Sequence, residues 1–333
     1  EYAICLVDFN KNTILITTDP FACKPLWYEF KDSKFCIGSY NSQLTQLGFN
    51  NGEKLYANTT RIYDLTTNKE INKFNNFKFD INQYKENFDD WFKAFENSIR
   101  KRTLNTQYGI YLGLSSGYDS GAIACELLKQ NIDFKSYTII GPENKDIINQ
   151  RLKLIPNHEV INLTLQEYNS TKSSINTECE DFHYKGYNIK GDKASFGVAS
   201  ICSRATQEDR RIYLSGQGAD EIISDYGFGG RKIYGHSSFG GKFPNDLKGF
   251  WPWHSFYDGT QIQYLNKEEY IAGHYGIETR YPFLDPKLVQ EFLWLKPELK
   301  NSKYKSVLDE YLSHNNFPFK QEKIGFDVLK GLI

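Results

Sequence analysis

The stretch that most constrains this chain is Leu114-Ser115-Ser116-Gly117-Tyr118-Asp119-Ser120, because it joins two different periodicities. The apolar run of residues 108–113 precedes it and the helical run of residues 121–128 follows, so a buried strand must turn abruptly into a helix. The composition of the turn suits an anion. Two serine hydroxyls, a glycine that permits close backbone approach and the free N–H groups of a helix N-terminus together surround a phosphate. Asp119 repels phosphate directly, so beside a polyphosphate it reads as a Mg²⁺ ligand. The same residue types build ordinary turns and N-caps, and the loop alone leaves that plain role open.

A second turn repeats the pattern. Ile212-Tyr213-Leu214 runs into Ser215-Gly216-Gln217-Gly218-Ala219-Asp220-Glu221, again a strand, then Ser and Gly, then an acidic residue as a helix starts. Between the turns the chain alternates: helix 120–130, strand 135–140, helix 145–154, strand 158–163, helix 194–206. Such alternation predicts an α/β fold, a parallel sheet with helices on both faces, whose ligands collect at the carboxyl ends of the strands. Two such turns on parallel strands are expected to face one pocket, with Asp119 and Asp220 as its metal ligands.

At 333 residues the chain exceeds one ordinary domain of ~100–200 residues, which predicts two. Residues 1–82 read as antiparallel β, with runs at 13–18, 26–30, 34–38 and 60–65 separated by Asp-Pro, Asn-Gly and Thr-Asn turns. Residues 83–333 form the second expected domain. It opens on a helix in which Phe88, Trp91, Phe92, Phe95 and Ile99 recur at helical spacing, a stripe that reads as core. With 40 basic and 41 acidic residues the net charge is −1, so nothing global draws the chain to nucleic acid or an anionic membrane. Any polyanion site must be local. The six cysteines form no CxxC pair and suit the reduced thiols of a cytoplasmic protein. Neither a signal peptide nor an apolar run of ~20 residues is present. The chain starts at Glu1 in apparent mid-strand and contains no Met, so we expect it to be part of a longer sequence.

Three further stretches bear on a site. Residues 226–260, rich in Gly and aromatics, read equally as an irregular surface loop and as a mobile cover over a substrate. Glu278 and Arg280 stand beside Tyr281-Pro282-Phe283-Leu284-Asp285; a pair at this spacing is usually structural, but also suits gripping a substrate carboxylate or amine. Lys323, within Lys320-Gln321-Glu322-Lys323-Ile324-Gly325-Phe326, has nothing local to separate it from a solvated surface charge.

In combination these stretches resemble a known family. Residues 114–120 resemble the SGGxDS pyrophosphatase loop of the ATP pyrophosphatases, and residues 214–221 the LSGxGADE motif of the asparagine synthetase family. Residues 278–285 are similar to its ExRxPFLD motif and residues 323–326 to its KxGF, all in the family's order. Residues 2–8 and 18–28 resemble its glutaminase domain, whose nucleophilic cysteine would lie upstream of Glu1. The resemblance implies an adenine nucleotide alpha hydrolase type α/β domain preceded by a partial, β-rich α+β domain of the N-terminal nucleophile type. It implies an ATP- and Mg²⁺-dependent, AMP-forming amide ligase that adenylates a small carboxylate and transfers ammonia, from glutamine or free, with a homodimer left open. Ser115, Ser116, Gly117, Tyr118, Asp119, Ser120, Ser215 and Gly216 would hold the ATP phosphates, Leu114 and Ile139 the adenine or ribose, and Asp119 and Asp220 the metal. Lys323 would stabilise developing charge, while Gln217, Glu278 and Arg280 would meet the substrate, Glu278 and Gln217 with catalytic roles.

Two departures bear on the product. Ser116 replaces the second glycine of SGGxDS. Gln217 stands where asparagine-forming members usually carry Glu and β-lactam-forming relatives Tyr, and a neutral amide is no base. A relative that closes an intramolecular amide or amidates a sugar acid or peptide therefore remains open, as does a nucleotide-binding regulator without catalysis. A tRNA-modifying thiolase, another user of the loop, is disfavoured by the absence of paired cysteines and of a basic surface.

Overall fold

The structure is a computed structural model that describes residues 1–322, so Lys323 and the rest of its motif lie outside the described residues. It divides into two compact units, Glu1–Phe79 and Asp80–Ile333. The division falls just before the position 82 expected from the Asn-rich turns.

The first unit contains strands β1 (Ala3–Asp8), β2 (Thr13–Thr18), β3 (Trp27–Lys31) and β4 (Lys34–Gly38), helix α1 (Asn41–Gln46), and strands β5 (Glu53–Lys54), β6 (Thr60–Asp64) and β7 (Glu70–Phe74). Four of them pair antiparallel in the order β1-β2-β6-β7 and three in the order β4-β3-β5. Period-two alternation sets the register, since Ile14 and Ile16 turn inward to a core with Leu26, Tyr28, Leu55 and Tyr63. Asp19 shapes the turn that follows β2, accepting from the backbone N–H groups of Phe21 (3.0 Å) and Cys23 (3.1 Å). This is the expected antiparallel β layer.

The second unit runs α2 (Asp89–Thr103), β8 (Gly109–Gly113), α3 (Tyr118–Lys129), β9 (Phe134–Ile139), α4 (Lys145–Leu154), β10 (His158–Ile161) and α5 (Leu165–Glu178). A small hairpin, β11 (His183–Tyr184) and β12 (Tyr187–Asn188), leads to α6 (Lys193–Gln207) and β13 (Arg210–Leu214). After a second hairpin, β14 (Gly227–Phe228) and β15 (Arg231–Lys232), come α7 (His254–Tyr257), α8 (Thr260–His274), β16 (Glu278–Arg280), α9 (Pro286–Trp294), α10 (Pro297–Lys300) and α11 (Ser306–His314). The sheet is five-stranded and parallel throughout, in the order β10-β9-β8-β13-β16. Ile110, Tyr111 and Leu112 of β8 point alternately to its two faces and all are buried, so helices cover both, as expected.

The sheet order positions the site. From β8 the chain winds outward through β9 and β10, then returns to add β13 on the opposite side of β8. The connections leaving β8 and β13 therefore diverge and open a crevice beyond their carboxyl ends. Those connections are the two glycine-bearing turns. The sequence reading passed over α5, whose apolar stripe is short, with only Tyr168 and Ile175 buried. Its capping box was the available signal: the Thr164 hydroxyl accepts from the Glu167 N–H, and Glu167 accepts in return from the Thr164 N–H.

Candidate active site

The two turns are built alike. In the first, the Ser115 hydroxyl accepts from the Gly117 N–H at 3.1 Å; in the second, the Ser215 hydroxyl accepts from the Gln217 N–H at 3.1 Å. Ser115 Oγ also lies 2.8 Å from Ser120 Oγ, tying the turn to the first residues of α3. The turns meet so closely that a Cβ on Gly216 would stand 3.0 Å from Asp119 Cβ. Behind the first turn Arg151 of α4, fully buried, donates to the carbonyls of Ser115 and Gly117 and, at 2.8 Å, to that of Pro318. Burial lowers the guanidinium pKa to about 10, against the pull of Glu143.

Beyond the strand ends lies a cavity of about 430 Å³. Asp119 and Asp220 both reach it, and so does the ammonium of Lys305, which stands 2.5 Å from Asp119 Oδ1 and 2.8 Å from Asp220 Oδ1. Burial works against the lysine's charge, but the two carboxylates outweigh it and raise its pKa well above the ordinary value. The Lys305 backbone is left-handed, φ 46°, immediately before α11, a conformation that turns its side chain out of the helix it precedes. Asp220 opens a single π-helical turn, Asp220–Ser224, of the kind that frequently marks functional positions.

Sequence reasoning missed four carboxylates of the cavity, Glu143, Asp192, Glu268 and Glu322. Glu143, from the loop after β9, accepts the Ser116 N–H at 2.7 Å, so a carboxylate of the chain itself occupies a backbone donor of the first turn. Burial pushes its pKa up to about 7 despite that bond and Arg151. Glu268 of α8 is also buried, and burial raises it to about 7 against the stabilising Ser215 hydroxyl, Lys267 and the Gln217 side chain. Elsewhere in the lining, Lys267 Nζ pairs with Asp192 at 3.1 Å, and the Tyr187 hydroxyl donates to the same carboxylate at 2.9 Å. Burial disfavours the Asp192 charge, but Lys267 and the Ala194 N–H more than compensate and hold its pKa below the usual carboxylate range.

The structure brings most of the expected site residues together. Leu114, Ser115, Gly117, Tyr118, Asp119, Ser120, Ile139, Ser215, Gly216, Gln217 and Asp220 line the cavity, with Ser116 holding its rim through Glu143 and Asn144. Glu278 and Arg280 do not line it. They pair with each other through two contacts, 2.9 and 3.1 Å, and Arg280 donates to the Arg102 carbonyl at 2.6 Å. Glu278 lies opposite Ile212 in the parallel register, two positions before the strand end where the cavity opens. Lys323 lies outside the described residues, although Glu322 just before it reaches the cavity and accepts from Asn144 Nδ2 at 3.0 Å.

The stretch 226–260 is neither a plain surface loop nor a free flap. Phe243, Leu247, Trp253 and Phe256 are buried within it, and Asp225 fastens it by accepting from the N–H groups of Ser238 (2.6 Å) and Phe239 (2.9 Å) and from the Ser255 hydroxyl. Tyr234 and His236 from this stretch reach the cavity.

Fold and site together define a doubly wound α/β unit with a strand-end pocket in which two acidic turns converge on one buried cation. The chain is similar to asparagine synthetases, and the likeness extends over most of its length. The glutamine-hydrolysing asparagine synthetase of Gallus gallus is 26% identical, covering 95% of this chain and 59% of the relative. Those of Mesocricetus auratus and Homo sapiens are 29% and 27% identical, each covering 67% of this chain and 39% of the relative. The chain thus spans well under two thirds of the length of these relatives. No family model matches it. Among solved structures it is similar to NMN synthetase from Francisella tularensis, with TM-score 0.31, 14% identity, and 73% of this chain and 99% of that one covered. The NH3-dependent NAD synthetase from Campylobacter jejuni gives TM-score 0.27 and 17% identity over 71% and 99%. Both scores are too low to carry an argument.

Proposed function

We propose that this chain activates a carboxylate with ATP, releasing pyrophosphate, and passes the acyl group to a nitrogen nucleophile to give an amide and AMP. The observation that carries this reading is the convergence of Asp119 and Asp220 on the Lys305 ammonium at the mouth of the phosphate turn. Two carboxylates held around one positive charge, beside serine hydroxyls and backbone donors, suit a polyphosphate with its counter-cations.

In this reading the N–H groups and hydroxyls of residues 115–120 and 215–216 orient the pyrophosphate half of ATP, and Leu114 and Ile139 offer apolar walls to the nucleoside. A substrate carboxylate oxygen attacks the α-phosphorus, and Lys305 and the turn donors offset the charge gathering on the departing pyrophosphate. Lys323 joins them through the family resemblance alone. The donor set fits Mg²⁺: Asp119 and Asp220 would supply two hard carboxylate oxygens and leave the remaining positions to phosphate and water. The ion would supply charge neutralisation to the polyphosphate. Among the described residues no three His, Cys, Asp or Glu side chains gather as a metal site. We take the nitrogen to come from glutamine or free ammonia, as the relatives' names suggest, and the setting to be cytoplasmic. No helix among the described residues is long and apolar enough to cross a membrane.

Carboxylate-dependent exchange of labelled pyrophosphate into ATP tests the reading. At least one acid from a panel of amino acids, sugar acids and peptides is expected to support exchange, and Asp119→Asn to lower it on the order of 10²–10³-fold. Absence of exchange and of AMP with every acid, in a folded chain with Mg²⁺, would sink it.

A further inference from the structure

An amine that attacks an activated acyl group must lose a proton, and the second turn supplies no group to take it. Gln217 is neutral. Asp119 and Asp220 are committed to Lys305, and Glu221 is held inside by the Gly218 N–H at 3.0 Å and the Tyr226 hydroxyl. Asp192 is bound to Lys267 and Tyr187. Glu143 lies over the phosphate turn, against the Ser116 N–H.

Glu268 remains. It projects from α8 into the same cavity, beside the Ser215 hydroxyl and the Gln217 amide, and is 4% exposed. Its Oε2 has no hydrogen-bond partner among the described residues. Buried carboxylate oxygens are seldom left unpaired, because desolvation then goes uncompensated. An orphaned acceptor at a cavity wall points to a donor supplied by a ligand.

We infer, resting on the function proposed above, that Glu268 is the general base of the amide-forming step. The nitrogen lone pair attacks the acyl carbon, the bond from that carbon to the AMP phosphate oxygen breaks, and AMP leaves with the electron pair. The proton shed by nitrogen passes to Glu268, which returns it to solvent. The groups that face Glu268 suit a base that works near neutrality. Tyr111 from β8 and Cys202 from α6 are buried, Tyr213 from β13 is half-buried, and all three are held neutral, while on α8 itself Lys267 favours its anion and Glu269 opposes it. With its pKa raised to about 7, chiefly by burial, the carboxyl is both available as anion and strong enough to accept a proton.

Glu268→Gln separates the two half-reactions. Pyrophosphate exchange should stay within about threefold of wild type and ATP affinity by calorimetry should be unchanged, while amide formation with saturating ammonium falls on the order of 10²–10⁴-fold. The wild-type amide rate should rise with pH through an inflection near 7, and the residual rate of the variant should not. Should Glu268→Gln fail to fold, Glu268→Asp is read in its place, with exchange kept and amide formation slowed at least about tenfold. Amide formation at the wild-type rate, or equal loss of both half-reactions, overturns the assignment and leaves the proposed function standing. Failure of the wild-type chain to exchange with any acid overturns both.

Discussion

At the scale of single residues, the phosphate turn owes its shape to contacts that no local pattern announces. Gly121 is glycine because Arg151 lies on it: an added Cβ would stand 2.4 Å from Nη2 of a guanidinium that also holds the Ser115 and Gly117 carbonyls. Gly121→Ala must push that guanidinium away. We expect a loss of about 1–3 kcal/mol in urea unfolding and weaker ATP binding. Unchanged ATP affinity in Gly121→Ala would show that the clamp does not shape the turn. The two turns were legible because hydroxyls, glycines and acids stand together in consecutive positions. Lys305, Glu143 and Glu268, which each reach the cavity alone from another element, and Arg151, which braces the first turn from behind, were not. Lys305 follows Lys303 and Tyr304 in a stretch that reads as surface charge, and only its left-handed backbone and the paired aspartates single it out.

At the scale of elements, the alternation of apolar strands and helices gave α3, β9, α4, β10, α6 and β13 close to their observed positions, because parallel strands buried on both faces leave unmistakable apolar runs. The order of those strands was beyond sequence reasoning. Only the return of β13 to the far side of β8 creates the crevice, and nothing in the local pattern of either strand encodes that choice. The stretch 226–260 was ambiguous for a related reason: its organiser, Asp225, lies at its edge and gathers donors from well along the chain. Asp225→Ala leaves those donors buried without an acceptor. The expected result is about 1–3 kcal/mol of lost stability and protease cleavage confined to residues 226–253. Cleavage no faster than in wild type would mean that aromatic packing alone fixes the segment.

At the scale of the whole chain, three carboxyls, the buried Glu221 and Glu268 and the half-buried Glu143, have pKa values raised to about 7, in each case chiefly by desolvation. Each binds a proton in the folded state that the unfolded chain has released above its ordinary carboxyl pKa. The stability they contribute is therefore complete at low pH and is lost as pH rises towards 7. Lys300 acts oppositely. Burial lowers its pKa to about 7, so between 7 and the ordinary lysine range the unfolded chain binds the extra proton and stability rises with pH. Carboxylates with lowered pKa, such as Asp192 and Asp285, act below this window. Thermal unfolding at constant ionic strength should thus show midpoints falling from pH 5 to 7 and recovering above it. Glu268→Gln should flatten the descending limb, and a midpoint that climbs steadily from 5 to 7 would contradict the burial of these groups. The same economy of charge governs how the cavity meets its ligand. At rest a carboxylate of the chain lies against the Ser116 donor and an ammonium of the chain lies between the two aspartates. Under the proposed function, entry of a nucleotide would be a partner swap rather than a filling: an incoming phosphate would compete with Glu143 for the Ser116 donor, and an incoming cation with Lys305 for the two aspartates. Loose phosphate, able to do only the first, would gain little, and a ligand that brings its own counterion would be favoured.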